Sequence, residues 1–240
     1  MKVDAEKCVS CELCIPYCPM GAISMADVAV IDQEECVECA VCLKSEVCPT
    51  SAFIYEAHLW PRSVRAIFSN PAIEHKETRV AGRGTEEVKT NDVTGIYQRG
   101  FVGITAELGR PGVGTRFRDV EKVAQAIAKA GVKFAPNNPT THLITDQASG
   151  KLNSEILDEK VLTAMVECLV PTQNISAVIK ELREIAPLID TVFSLDIITR
   201  LNPDGSVSYE KILAENGVPL SLNGKLNIGL GRPMAEEASP

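Results

Sequence analysis

From Phe101 to about Arg200 the apolar positions alternate between a period of two and a period near 3.6. Phe101-Val102-Gly103-Ile104-Thr105-Ala106-Glu107-Leu108 reads as a strand, stopped by the turn-rich Gly109-Arg110-Pro111-Gly112-Val113-Gly114. Val120, Val123, Ala124 and Ile127 then recur at helical spacing, and Gly131 suits the position just past a helix end. Residues 132–135 and 142–145 read as short extended pieces around a Pro-Asn-Asn-Pro turn. Residues 161–170, apolar on both faces, predict a central strand. Asn174 is placed to cap a helix with the stripe Ile175, Val178, Ile179, Leu182, Ile185 and Ala186, and Pro187 stops it. Residues 189–199 close as a strand with Ile189, Phe193, Leu195 and Ile197 on one face.

The resulting order, β-α-β-β-α-β over 101–200, predicts an α+β fold of the split βαβ type, a four-stranded antiparallel sheet with two helices on one face. Its flanks are less regular. Residues 57–76 hold Trp60, Pro61, Arg62, Arg65, Pro71, His58 and His75 and read as a connector. Residues 77–100 are polar and glycine-punctuated, which predicts loop, so 57–100 forms one connector and loop region. The C-terminal extension, 201–240, has strand-like pieces at 207–209 and 225–228.

Charge is distributed unevenly. Residues 1–56 hold three basic residues (Lys2, Lys7, Lys44) against ten acidic ones, a net −7 of the chain's −8. This balance argues against a nucleic-acid partner, whose phosphates it repels, and suits steering toward a basic redox protein. Acidic side chains also keep a small, core-poor module soluble. No apolar run approaches the roughly 18 residues of a membrane span, and Met1-Lys2-Val3-Asp4 opens no signal segment, so a cytoplasmic location without membrane insertion is expected.

The chemistry lies in the same acidic module. Cys8-x2-Cys11-x2-Cys14-x3-Cys18-Pro19 is followed by a near copy, Cys36-x2-Cys39-x2-Cys42-x5-Cys48-Pro49. The copies align at an offset of 28 residues through Cys14 and Cys42, and of 30 at the two Cys-Pro pairs. Four disulfides would suit a secreted chain. Zinc sites use pairs of Cys-x2-Cys or mixed Cys and His, and triple spacing followed by Cys-Pro has no tetrahedral logic. Three thiolates two residues apart wrap one face of an iron–sulfur cube, and the fourth points toward another.

With these motifs, residues 1–56 resemble the bacterial two-cluster ferredoxins. The resemblance implies two [4Fe-4S] clusters with crossed ligation. One takes Cys8, Cys11, Cys14 and Cys48, and the other takes Cys36, Cys39, Cys42 and Cys18. The five-residue gap Leu43-Lys44-Ser45-Glu46-Val47 departs from the family's simplest spacing and lengthens a turn without removing a ligand. Residues 82–123 also resemble a stretch of iron–sulfur proteins of anaerobic reductases, including the 6-hydroxynicotinate reductase type.

These resemblances imply an electron-transfer protein or oxidoreductase subunit of anaerobic metabolism, itself without a catalytic constellation. It would wire a donor, such as a flavoprotein, to a reductase subunit that docks on 101–200. The alternative is a redox-coupled small-molecule sensor with an amino-acid-binding type of C-terminal domain. Oligomeric state stays open.

Other features weigh less. Gly109, Gly112 and Gly114 with Arg110 and Arg116 could cradle a phosphate, though the spacing is not Gly-x-Gly-x-x-Gly and a plain turn is the simpler reading. Leu108-Gly109-Arg110-Pro111 recurs as Leu230-Gly231-Arg232-Pro233. Cys168 lies in an apolar run and reads as core, and His58, His75 and His142 share no metal-binding spacing.

Overall fold

The computed structural model describes residues 1–81, 95–110, 112–207 and 209–220. The expected strand at 225–228, the second Leu-Gly-Arg-Pro and the start of the 82–123 stretch lie outside the described residues.

The N-terminal module is built from short pieces. Strand β1 (Lys2–Val3) pairs with β4 (Phe53–Ile54), and β2 (Ile23–Met25) pairs with β3 (Ala29–Ile31), both antiparallel. Helix α1 (Val41–Lys44) occupies the start of the five-residue gap, where the first motif has only the 3-10 turn Ile15–Tyr17. The core here is small: Met1, Cys14, Ile23, Ala29, Ala40 and Phe53. So little buried apolar area stabilises a module only weakly, and such modules depend on disulfides, metals or docking for the rest.

Beyond the module, the 57–76 connector contains a helix, α2 (Ser63–Ser69), with Val64, Arg65, Ala66, Phe68 and Ser69 buried. Val64 and Phe68 enter the main core, and the Phe68 ring meets Phe117 edge-on at 5.1 Å between centroids. The connector is therefore packed onto the 101–200 domain.

Strand β5 (Phe101–Leu108) leads into the short β6 (Thr115–Arg116), helix α3 (Phe117–Ala128) and β7 (Lys133–Phe134). The expected extended piece at 142–145 is instead a 3-10 turn over Pro139–Leu143, because Asn138 accepts the Thr140 N–H at 2.8 Å. Only Ile144–Asp146 (β8) is extended, paired with β9 (Lys151–Leu152). The expected strand at 161–170 divides. Lys160–Val161 (β10) pairs with β6, and Ala164–Pro171 (β11) pairs with β5. The break is held by Leu162 N–H donating to Ser69 Oγ at 2.9 Å and by Thr163 Oγ1 donating to Leu108 O at 2.9 Å.

Helix α4 (Ile175–Ile185) comes after β11. Asn174 precedes it but makes no side-chain cap; its amide donates to Ala130 O at 3.3 Å. Strand β12 (Phe193–Ile198) closes the sheet, whose order is β12-β5-β11-β7 with every neighbour antiparallel. Tyr209 stands at the start of a last helix, α5 (Glu210–Glu215), rather than in a strand.

One face of the sheet carries Val102, Ile104, Ala106 and Leu108 from β5 and Ala164, Val166, Cys168 and Val170 from β11. The apolar stripes of α3 and α4 complete the same core. On the other face Glu167 is 1% exposed, although the sequence reads both faces as apolar. Its carboxylate accepts from Tyr97 OH at 2.6 Å and from the Asn138 amide at 3.0 Å. Tyr97 lies over Gly103, where an added Cβ would collide with the Tyr97 ring and the Ile198 side chain. Gly103→Ala is therefore expected to displace Tyr97 and cost about 1–3 kcal/mol, read as a lowered denaturation midpoint. An unchanged midpoint would mean that Tyr97 lifts away freely.

Candidate iron–sulfur site

The two cysteine motifs share one backbone path. Ser10 (φ 54°) and Glu12 (φ 62°) in the first motif match Glu38 (φ 56°) and Ala40 (φ 60°) in the second, and Gly21 (φ 62°) matches Ser51 (φ 51°). Non-glycine residues held left-handed cost on the order of 1–3 kcal/mol each and persist where the surroundings require them. What they produce here is a row of peptide N–H groups turned toward sulfur. The Glu38 amide faces the Cys36 thiol, Val41 faces Cys39, and Leu43 faces Cys42. Ala22 N–H donates to Cys18 Sγ at 3.2 Å, Ala29 N–H to Cys8 Sγ at 3.4 Å, and Ala52 N–H to Cys48 Sγ at 3.3 Å.

The eight motif cysteines gather around two cavities. One is lined by Cys8, Cys11, Cys14 and Cys48 with Val3, Met25 and Phe53. The other is lined by Cys18, Cys36, Cys39 and Cys42 with Met1, Ile23 and Ile31. Each thus receives three sulfurs from one motif and one from the other. Among the described residues no three His, Cys, Asp or Glu side chains close on a single metal ion. Four sulfurs ringing each cavity, with no three of them closing on one point, fit a polynuclear cluster better than a mononuclear zinc.

Burial pushes the Cys42 thiol up to about 12, helped by repulsion from Cys39, Cys36 and Cys18. Burial also raises Cys14, with Cys11, Cys48 and Cys8 adding repulsion. Burial raises Cys39 too, with Cys18 next to it. Cys48 shifts the other way. Burial opposes its ionisation, but N–H groups from Ala52 and Thr50 and the Thr50 hydroxyl hold it low. Four sulfurs that repel as thiolates are a site for cations, and metal binding displaces their protons.

The remaining chain grips the second motif. Arg65, 3% exposed, donates from Nη1 to the carbonyls of Gln33 at 2.9 Å, Glu34 at 3.1 Å and Cys36 at 2.9 Å, and from Nε to Glu159. Glu38, 1% exposed, takes Arg62 Nη2 at 2.7 Å, the N-terminal ammonium at 2.6 Å and His58 Nε2 at 3.1 Å. Burial alone would raise Glu38, but the ammonium and Arg62 hold its carboxyl below the usual carboxylate range. Lys160 and Arg116 pair with Glu35, and Trp60 Nε1 donates to Glu155 at 2.8 Å. Cysteine spacing does not reveal Arg65, Arg62 or Glu38. The sole hint is that the connector is basic and the module acidic.

The glycine-rich loop after β5 belongs to this grip. Gly109 O accepts Gly114 N–H at 2.9 Å, and a Cβ on Gly114 would stand 2.6 Å from Met20 Cε, two residues past Cys18. Arg110 pairs with Glu107 at 3.0 Å and Arg116 with Glu35, so the cations expected for a phosphate are engaged by carboxylates. Cys168, fully buried, donates to Ile104 O at 3.4 Å and is pushed up by burial, as suits core. His75 and His142, far apart in sequence, bring their rings to 5.2 Å.

The 4Fe-4S binding domain family matches residues 1–24. No curated protein and no solved structure matches the chain. No helix among the described residues is long and apolar enough to cross a membrane. The matched segment ends just past Cys18-Pro19, so it contains the whole first motif, and the N-terminal part of the chain is an iron–sulfur segment of ferredoxin type with an electron-transfer role.

Proposed function

We propose that the chain is an electron-transfer subunit carrying two [4Fe-4S] clusters that connects a redox donor to a partner reductase or oxidoreductase. Cys8, Cys11, Cys14 and Cys48 hold one cluster, and Cys36, Cys39, Cys42 and Cys18 hold the other. The observation that carries this reading is the gathering of the eight motif cysteines around two cavities, three from one motif and one from the other in each. When bound, such clusters supply one-electron exchange. Their potentials are set by hydrogen bonds to sulfur and by solvent access.

The chain's own residues provide both controls. Ala22, Ala29 and Ala52 donate N–H to sulfur, and the buried Met1, Ile23 and Phe53 form apolar walls of the cavities. We read β5-α3-β7-β11-α4-β12 as a split βαβ sandwich that clamps the second motif and leaves the first open. The reductase connection rests on the likeness of 82–123, of which 82–94 lie outside the described residues.

Anaerobically purified protein is expected to carry about eight iron and eight sulfide per chain, from two four-iron cubes. About four of each would leave the first motif as the only cluster site. Two zinc ions without sulfide would remove the reading altogether.

A further inference from the structure

The repeated motifs allow a comparison inside one molecule, because the same backbone is bare in one copy and covered in the other. Val9 is 60% exposed and its counterpart Val37 is 1% exposed. Ser10 and Glu12 are exposed, whereas Glu38 and Ala40 are 1% and 4% exposed. Leu13 is 51% exposed. Cys11 is the one exposed cysteine of the eight.

The cover over the second loop has a definite chemistry. Arg62 and Arg65 meet its carboxylate and its backbone carbonyls, and the apolar side of α2 packs into the neighbouring core. Over the first loop, Glu6, Glu12 and Asp27 are exposed and make no ion pair among the described residues. Ser10 Oγ donates to Asp27 O at 2.6 Å, which joins Asp27 to the same surface. Lys7, the nearest cation in sequence, is paired with Asp4 at 3.4 Å.

The geometry points to the bare first loop, centred on Val9, Cys11 and Leu13 and rimmed by Glu6, Glu12 and Asp27, as the docking face for a separate redox protein whose contact surface is apolar at its centre and ringed by Arg or Lys. The inference rests on the electron-carrier reading. It moves the partner from the 101–200 sheet domain to the edge of the cavity lined by Cys8, Cys11, Cys14 and Cys48. The loop at 36–42 cannot serve, because the chain's own arginines already occupy it. Charge steers such encounters, and apolar contact at the centre holds them.

The test uses the full-length chain with its clusters, chemically reduced and freed of reductant, and cytochrome c as a basic one-electron acceptor. Glu6→Gln/Glu12→Gln/Asp27→Asn is expected to slow acceptor reduction about tenfold at roughly 10 mM ionic strength. The difference is expected to vanish above about 0.5 M, where the Debye length is only a few ångströms. Leu13→Ser is expected to lower the rate at both ionic strengths. Glu46→Gln, an exposed acid on the other motif, is expected to leave it unchanged. Carbodiimide cross-linking followed by peptide mapping is expected to join Glu6, Glu12 or Asp27 to cytochrome c lysines.

Cross-links confined to residues 101–200, a triple variant as fast as the parent, or a covalent pair of two copies of this chain through these carboxylates would each overturn the docking face. A fall in rate that tracks lost iron at every ionic strength would overturn it too, since the carboxylates would then serve assembly. Iron and sulfide content separates the two claims. Loaded clusters with unaltered rates sink the docking face alone, and their absence sinks the carrier reading with it.

Discussion

Cys18→Ala in the full chain is expected to remove the cluster of the other motif, leaving about four iron per chain bound by Cys8, Cys11, Cys14 and Cys48. Cys18 lines the cavity of Cys36, Cys39 and Cys42, and both Cys39 and Cys42 feel its charge. Cys48→Ala is the mirror case, because Cys48 lines the cavity of Cys8, Cys11 and Cys14. Paired substitutions make the assignment independent of spectral detail. Cys18→Ala/Cys39→Ala should lose no more iron than Cys18→Ala alone, whereas Cys18→Ala/Cys11→Ala should lose nearly all of it. The opposite pattern, in which Cys18→Ala and Cys11→Ala act on one cluster, would show that each motif keeps its own fourth cysteine.

The cysteine spacing made the site legible because its geometry is local. Three thiols two residues apart need only single left-handed residues between them, and the copies display these at Ser10 and Glu12 and at Glu38 and Ala40. Helices α3 and α4 were legible for the same reason, each carrying an apolar stripe of one period. The failures are non-local. Arg65 meets Glu159 across 94 residues, and no window contains both.

Net charge hides pairing in a similar way. Residues 1–56 carry −7, and within that sum Glu34, Glu35 and Glu38 are held by Arg116, Lys160 and Arg62. The division of the 161–170 run at Leu162 and Thr163 depends on Ser69, in a segment that sequence reads as a connector. A hydroxyl that ends a strand from 93 residues away leaves no periodic trace.

Arg65→Met is expected to unseat the second motif while sparing the first. Arg65 is buried, donates to three carbonyls at 33, 34 and 36, and pairs with Glu159, whose side chain is 14% exposed. Removing one member of a buried pair leaves a desolvated charge and typically costs about 3–5 kcal/mol. Methionine keeps much of the volume but none of the five donors, so the carbonyl of Cys36 also loses its partner. The cost falls on a module with a small core. During anaerobic heating, about four of eight iron should therefore leave at a lower temperature than in the parent, with the signal of the Cys8, Cys11, Cys14 and Cys48 site retained. Arg65→Met/Glu159→Leu should recover part of the loss, since it removes the stranded carboxylate but leaves the carbonyls orphaned. Release of all iron in one step at the parent's temperature would show that the second motif stands without this clamp. Full recovery in the double variant would show that the carbonyl contacts contribute nothing and that the charge alone was at issue.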